Sequence, residues 1–213
     1  RGALAATALP TDRSDGQVDF FKLASGATLD DTTVAAGHRI RAAAQAYFYA
    51  GRFGLLGEYV WNTVDVQRKA WSGSVARQAW QVYGSVLLTP DKASFKGVKP
   101  ARPLDLEQRG PGAWELALRY SGMRVDDAAF TPNDPADAAS GFADITRAAR
   151  EARSLAVGVN WYINGNARFL IDFVRTDFSG GAKGTTHAAA GSLPAYADRP
   201  AENAVLGRLQ LAL

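Results

Sequence analysis

The sequence predicts an all-β protein whose strands form an antiparallel transmembrane β-barrel. The first observation is that runs of about ten residues alternate between apolar and small or polar side chains, and strands of this length cross an outer membrane. The second is that the connections are either minimal turns or long polar stretches, as in barrels with short periplasmic turns and long external loops. We interpret residues 1–213 as a single β-barrel domain with about eight strands.

The clearest strand pair is a hairpin between Arg153 and Phe178. Asn164-Gly165 separates its two runs and predicts a type I′ turn, because these residues tolerate the positive φ angles that the turn requires. The apolar face consists of Leu155, Val157, Val159, Trp161 and Ile163 in the first run and Ala167, Phe169, Ile171 and Phe173 in the second. Alternation alone does not distinguish a face that meets lipid from one that meets a protein core.

Six further runs alternate in the same way: Gly16–Leu23, His38–Ala50, Phe53–Val66, Ala76–Thr89, Ala113–Val125 and Ala204–Leu213. Together with the two strands of the hairpin they give the count of about eight. Gly16–Leu23 is the weakest of these predictions, because Phe20 and Phe21 are adjacent and break the alternation.

The lengths of the connections predict which end of the barrel faces the periplasm. The minimal turns are Gly51-Arg52 and Asn164-Gly165, and the long polar stretches are 126–151 and 179–202. If Leu213 ends on the periplasmic side, strand alternation places both minimal turns there and both long stretches outside. The connection Pro90–Pro111 is an exception, because it is long and falls on the predicted periplasmic side.

The composition argues against two other classes of protein. Lys and Arg total 24 against 21 for Asp and Glu, a net charge of +3, and no basic stripe with interleaved aromatic residues indicates nucleic-acid binding. No apolar run reaches the roughly 18–20 residues of a membrane helix. The chain has no cysteine, which agrees with passage through an oxidising periplasm.

The sequence also lacks the motifs of catalytic and cofactor sites. It contains no cysteine nucleophile, no G-x-S-x-G, no phosphate-binding P-loop and no dinucleotide fingerprint. His38 and His187 are isolated in the sequence, and a metal site needs further ligands. We therefore expect no enzymatic activity, no metal and no cofactor.

Four tryptophans lie on the apolar faces of predicted strands: Trp61, Trp80, Trp114 and Trp161. In membrane β-barrels, tryptophan and tyrosine concentrate at the two membrane–water interfaces. Trp114 and Trp161 lie near predicted periplasmic strand ends and fit this placement. In a soluble sandwich the same four residues would instead be core aromatics.

Several blocks of sequence carry a resemblance to a known family. They are FGLLGEYVWNTV (Phe53–Val64), AWQVYGSVLLTPDKASF (Ala79–Phe95), GAWELALRYSGMRVDD (Gly112–Asp127) and LAVGVNWYINGNARFLIDFVRTDF (Leu155–Phe178). In this order they resemble the C-terminal half of the phosphate-selective porin O and P family, over about residues 38–213. The resemblance implies half of a sixteen-stranded barrel in the bacterial outer membrane, surrounded by lipid and usually assembled as a homotrimer.

Six arginines lie on the polar faces of the predicted strands: Arg39, Arg41, Arg77, Arg119, Arg168 and Arg208. Guanidinium groups that project into a water-filled channel attract anions and form paired hydrogen bonds with phosphate oxygens. Glu58, Glu115 and Asp172 share these faces, and we expect them to pair with the arginines across neighbouring strands. We interpret the six arginines as the anion-binding lining of a lumen, with phosphate or polyphosphate as candidate solutes.

Three hypotheses about function follow from the sequence. The first is an outer-membrane channel for the passive diffusion of small anions. The second is a small structural or adhesive barrel without an open pore, because about eight strands leave an interior filled by side chains whereas sixteen leave an aqueous channel. The third is a soluble β-sandwich that acts as a binding module. The number of strands and the surroundings of the apolar faces distinguish the three.

Overall fold

The computed structural model describes residues 9–134, 136–137, 139–184 and 195–211. Their strands are β1 (Asp12–Arg13), β2 (Asp19–Phe21), β3 (Val34–Ala50), β4 (Phe53–Arg68), β5 (Trp71–Leu87), β6 (Ala113–Val125), β7 (Ala149–Tyr162), β8 (Ala167–Lys183), β9 (Tyr196–Asp198) and β10 (Glu202–Leu211). A short 3₁₀ helix, Asp127–Ala129, follows β6. No helix within the described ranges is long and apolar enough to cross a membrane.

The long strands form one antiparallel sheet in the order β10-β8-β7-β6-β5-β4-β3, and β9 adds to β8 as its eighth strand. This confirms the predicted all-β class and the antiparallel sheet. The eighth strand is β9 rather than Gly16–Leu23, of which only β2 is a strand, paired with β1 in a separate small sheet. In the described part of the chain the large sheet is open, with β3 and β10 as its edges.

The register gives the sheet two chemically different faces. On one face, which we call the outer face, Trp114 lies opposite Trp161 and Trp161 lies opposite Phe169. Its apolar side chains are exposed; Leu118, for example, is 52% exposed. On the opposite face, the inner face, Val75 and Val125 are fully buried. The alternation of each strand thus separates an uncovered apolar face from a covered one.

A packed core covers the inner face at the end of the sheet where β6 ends and β7 begins, which we call the long-loop end. Its members include Phe20, Phe21, Val64, Val66, Val75, Val125, Phe130, Phe142, Ile145 and Phe178. Phe20 packs on Phe178 with ring centroids 6.0 Å apart, and Phe21 packs edge-on against Phe130 at 5.8 Å. The segment 9–24, which we call the strap, therefore lies between the sheet and the loop 126–148. This position explains why two adjacent phenylalanines are both buried.

The turn between β4 and β5 also lies at the long-loop end, and it is shorter than predicted. Arg68 lies opposite Trp71, so only Lys69 and Ala70 separate the strands, and Lys69 has a φ of 54°. The polar residues beyond Val66 remain in the strand ladder because the hairpin continues to satisfy their backbone hydrogen bonds. Short turns are therefore found at both ends of the sheet.

The loop between β7 and β8 lies at the opposite, short-turn end and differs from the predicted type I′ turn. Neither Asn164 nor Gly165 has a positive φ angle. The Asn164 side-chain carbonyl accepts hydrogen bonds from the backbone N–H groups of Asn166 and Ala167, at 2.8 and 2.9 Å. This side chain mimics a backbone acceptor, which makes positive φ angles unnecessary. The predicted hairpin is confirmed, but the predicted turn type is wrong.

Replacing Asn164 with alanine is expected to destabilise this hairpin. The substitution removes the acceptor of two backbone N–H groups, so we expect a loss of about 1–2 kcal/mol in the free energy of unfolding. Unfolding by guanidinium chloride, with the protein refolded into lipid vesicles, measures this loss in the free energy of unfolding. Asn166→Ala is the matched control, because Asn166 contributes its backbone and not its side chain to the contact. Equal losses in the two variants would contradict the role of the Asn164 side chain.

Candidate functional site

All six arginines singled out in the sequence lie on the inner face. Arg41 lies opposite Asn62, which in turn lies opposite Arg77, and Arg208 lies opposite Leu170, two residues from Arg168. The register places Arg39 and Arg119 on the same face. They are spread over β3, β5, β6, β8 and β10 rather than gathered in one cluster. The inner face is therefore the candidate functional surface.

Arg77 is the most buried of the six, with 8% of its surface exposed. Its Nη1 atom lies 3.2 Å from Oδ2 of Asp12 in the strap, and its guanidinium lies 5.1 Å from the centre of the Phe21 ring. Within the described residues its Nε and Nη2 atoms have no hydrogen-bond partner. Burial raises the pKa of the Asp12 carboxyl, and the charge of Arg77 opposes that rise. Asp12 is thus the counter-charge of a buried guanidinium.

Arg119 binds a second carboxylate of the strap. Its Nη2 atom lies 3.2 Å from Oδ2 of Asp15, and the Ser121 hydroxyl donates a hydrogen bond to the same oxygen at 2.8 Å. The Arg119 side chain is 34% exposed, so water reaches this pair. Two of the six inner-face arginines are therefore neutralised by the strap.

Two more of the six inner-face arginines, Arg39 and Arg168, make side-chain hydrogen bonds to neutral partners. Arg39 donates through Nε to Oδ1 of Asn62 at 3.3 Å. Arg168 donates through Nε and Nη2 to Oε1 of Gln210, at 3.0 and 2.7 Å. Four of the six form no ion pair with a carboxylate among the described residues: Arg39, Arg41, Arg168 and Arg208. Uncompensated positive charge thus remains on strands at and near both edges.

The carboxylates predicted as arginine partners have other neighbours. Glu58 accepts a hydrogen bond from Gln81 at 2.8 Å, and the buried Glu115 accepts from Asn160 and from the Tyr162 hydroxyl, both at 2.8 Å. Asp172 lies opposite Gly158 on one side and Leu206 on the other. Among the described residues none of the three forms an ion pair with an arginine, and the register places no arginine directly opposite any of them. Asp172 lines the same cavity as Arg119 without forming an ion pair with it. Asp12 and Asp15 are the partners instead, and no local pattern in the sequence indicated them.

The four predicted tryptophans lie on the outer face. The rings of Trp114 and Trp161 stack with centroids 5.1 Å apart, and both indole N–H groups donate to the Pro111 carbonyl, at 3.2 and 3.0 Å. The pair lies at the short-turn end. Trp80 packs edge-on against Tyr120 at 5.0 Å, and Trp61 lies on the same face through its register with Ala42.

A known protein family matches nearly the whole chain. The sequence profile of the family described as phosphate-selective porin O and P matches residues 23–212. The chain belongs to this family. No curated protein matches it. The chain is thus a member of a family of outer-membrane porins, which are β-barrel channels for phosphate and not enzymes.

The connection between β5 and β6 folds over the inner face of this porin at the short-turn end. The Ala93 N–H donates to the Gly51 carbonyl at 2.8 Å, and the Leu104 N–H donates to the Ile163 carbonyl at 2.7 Å. The connection between β5 and β6 therefore contacts both neighbouring turns. These contacts account for its length at an end of the sheet where the other connections are short. Beneath it lies a cavity of about 380 Å³ whose lining includes Tyr49, Tyr83, Lys96, Lys99, Glu115 and Arg168.

His38 takes no part in these contacts. The His38 backbone N–H donates to Oδ2 of Asp65 at 2.8 Å, at an irregularity in the pairing of β3 with β4. His187 lies outside the described residues. Among the described residues, no group of three or more His, Cys, Asp or Glu side chains is placed to hold a metal ion.

Proposed function

We propose that this porin is a passive channel for small anions in the bacterial outer membrane, and that the inner-face arginines line its lumen. The observation that carries the proposal is the division of one sheet between an exposed apolar face and a face with six arginines. Lipid covers an apolar outer face, and rings of arginine or lysine are the expected device for anion pores. The solute gradient alone would drive transport.

The outer face supports contact with lipid rather than with water. Phe48, Leu118 and Phe173 are 65%, 52% and 50% exposed, and a soluble monomer rarely exposes a continuous apolar surface of this kind. The stacked pair Trp114 and Trp161 at one end of the face fits a membrane–water interface. These features argue against the soluble sandwich.

The edges of the sheet support a larger barrel. Seven long strands alternate in direction, so β3 and β10 run the same way. A closed antiparallel barrel therefore needs an odd number of further strands between these two edges. We propose that residues 1–213 belong to one such barrel domain, in which enough strands are present to leave an aqueous channel. We also propose a homotrimer, as the family resemblance implies, which native mass measurement in detergent tests.

The guanidinium chemistry supports an oxyanion as the solute. Arg168 presents two N–H groups to a single neutral oxygen of Gln210, and the same fork binds two oxygens of a phosphate. Amide partners compete less strongly for a guanidinium than carboxylates do, which leaves Arg168 available to a passing anion. Phosphate and polyphosphate are therefore the proposed solutes.

A pore-free structural or adhesive barrel is the second candidate. The packed core of Phe21, Phe130 and Phe142 at the long-loop end favours it, because these side chains fill part of the inner face. The open edges weigh against it, since the seven long strands of the described sheet enclose no interior by themselves.

Single-channel recording tests the proposed function. The intact protein, purified from outer membranes, is placed in planar bilayers in potassium chloride, and phosphate is then added. We expect discrete conductance steps, a reversal potential that indicates anion preference, and a decrease in chloride current as phosphate binds. Cation preference would contradict the anion channel, and the absence of conductance from correctly folded protein would favour the structural barrel.

Arg168→Gln tests whether the inner-face arginines bind the solute. We expect phosphate to block the chloride current about tenfold less tightly, the factor that corresponds to one charge-assisted hydrogen bond. Arg175→Gln is the matched control, because Arg175 lies on the outer face of the same strand and pairs with Asp177 there. Equal effects in both variants would contradict a role of Arg168 in the lumen.

A further inference from the structure

The strap crosses the inner face from β5 to β10. Asp12 reaches Arg77 on β5, and the Ser14 hydroxyl donates to Oε2 of Glu202 at the start of β10, at 2.5 Å. These contacts to β5 and to β10, both on the inner face, fix the position of residues 12–15. The strap is therefore a bridge over the face that carries the arginines.

The strap is held in place by the packed core as well as by its polar contacts. Phe20 and Phe21 are only 2% and 1% exposed, and the Ala24 N–H donates to the Phe142 carbonyl at 2.8 Å. Arg199 donates through Nη1 to the Asp19 carbonyl at 2.9 Å. Burial of two aromatic side chains makes the strap a fixed element rather than a mobile tail.

The carboxylates of the strap occupy only some of the inner-face arginines. Asp15 contacts Arg119 at 3.2 Å in a water-accessible pair, whereas Arg168 has an amide partner. An anion that passes Arg119 meets a guanidinium already bound to a carboxylate. An anion that passes Arg168 does not.

We infer that the strap is a charge filter in which Asp15 competes with the passing anion for Arg119 and thereby sets the selectivity of the pore. The inference rests on the proposed anion channel and adds to it a residue that weakens anion binding at one position. Weaker binding of the anion at Arg119 favours conduction, because a channel must release the ion that it binds. Asp12 is a poorer regulator, because its guanidinium partner is buried.

Asp15→Asn tests the filter in the intact channel. Asparagine keeps the size of the side chain and an oxygen for the Ser121 hydroxyl, but it removes the negative charge beside Arg119. We expect the permeability ratio of chloride to potassium to rise, and phosphate to block the chloride current about three- to tenfold more tightly, as for one partly exposed charge pair. The double variant Asp15→Asn with Arg119→Gln is expected to lose the gain in phosphate block.

Asp177→Asn is the matched control, since Asp177 pairs with Arg175 at the same 3.2 Å but on the outer face. It is expected to change neither readout. Asp15→Ser, which also lacks the charge, replaces Asp15→Asn if the latter fails to assemble. The anion preference of the unmodified channel tests the proposed function. The difference in permeability ratio and in phosphate block between the variant and the unmodified channel tests the filter. A parent that prefers anions together with an unchanged Asp15→Asn variant would overturn the filter alone.

Discussion

Replacing Phe21 with alanine is expected to release the strap from the inner face and to raise the conductance of the pore. The Phe21 side chain is 1% exposed and packs between Phe130 and the guanidinium of Arg77. Removing a buried phenylalanine costs about 3–5 kcal/mol, because apolar contacts are lost and a cavity remains. We expect most of that loss to appear as local detachment of the strap, since the sheet keeps its own backbone ladder.

Two measurements follow the release of the strap. Limited trypsin digestion of the folded protein reports cleavage at Arg13, which the strap carries, and planar bilayer recording reports the conductance. Leu29→Ala is the control, because Leu29 lies just beyond the strap and is 60% exposed. We expect this substitution to change the free energy of unfolding by no more than about 0.5 kcal/mol. If Phe21→Ala left both trypsin protection and conductance at the parent level, the packed core would not be what holds the strap.

Replacing Asp12 with alanine is expected to destabilise the protein by about 3 kcal/mol, because it leaves a buried guanidinium without its counter-charge. Arg77 is 8% exposed, and two of its nitrogen atoms already lack hydrogen-bond partners among the described residues. A second substitution, Arg77→Met, is expected to restore most of the loss, since an apolar side chain of similar length fits beside Phe21 and Val125.

Guanidinium-induced unfolding in lipid vesicles measures both variants. Asp19→Ala is the matched control in the same strap, because Asp19 forms an ion pair with Arg13 whose two side chains are 56% and 61% exposed. Exposed pairs contribute at most about 1 kcal/mol. Equal losses for Asp12→Ala and Asp19→Ala would show that the Asp12–Arg77 pair is no stronger than a surface pair, and a double variant as unstable as Asp12→Ala would exclude the burial argument.

The faces of the strands could be predicted from the sequence because side-chain direction in a strand depends only on parity. Leu116 and Leu118 lie on one face and Glu115 and Arg119 on the other, whatever the rest of the chain does. The strand limits were less accurate. The hairpin at Lys69 and Ala70 was missed, because its polar residues extend the ladder beyond the apolar band.

Turn type could not be predicted from the residue pair alone. Asn164-Gly165 allows a type I′ turn, but it also allows the Asn164 side chain to accept two backbone hydrogen bonds. The loop between Tyr162 and Ala167 is long enough for the second solution. Similarly, the adjacent Phe20 and Phe21 break the alternation that indicates a strand. In the structure each of them packs in a different part of the core.

The sequence by itself determined the all-β class, the division of each long strand into an apolar and a polar face, and the side on which each arginine lies. These properties follow from a period of two residues, which is local. Only the tertiary structure decided which carboxylates meet those arginines. Asp12 and Arg77 are 65 residues apart in the chain, and their pairing depends on the path of the strap across the sheet. That path is set by burial of Phe20 and Phe21 against distant segments, and no local pattern encodes it.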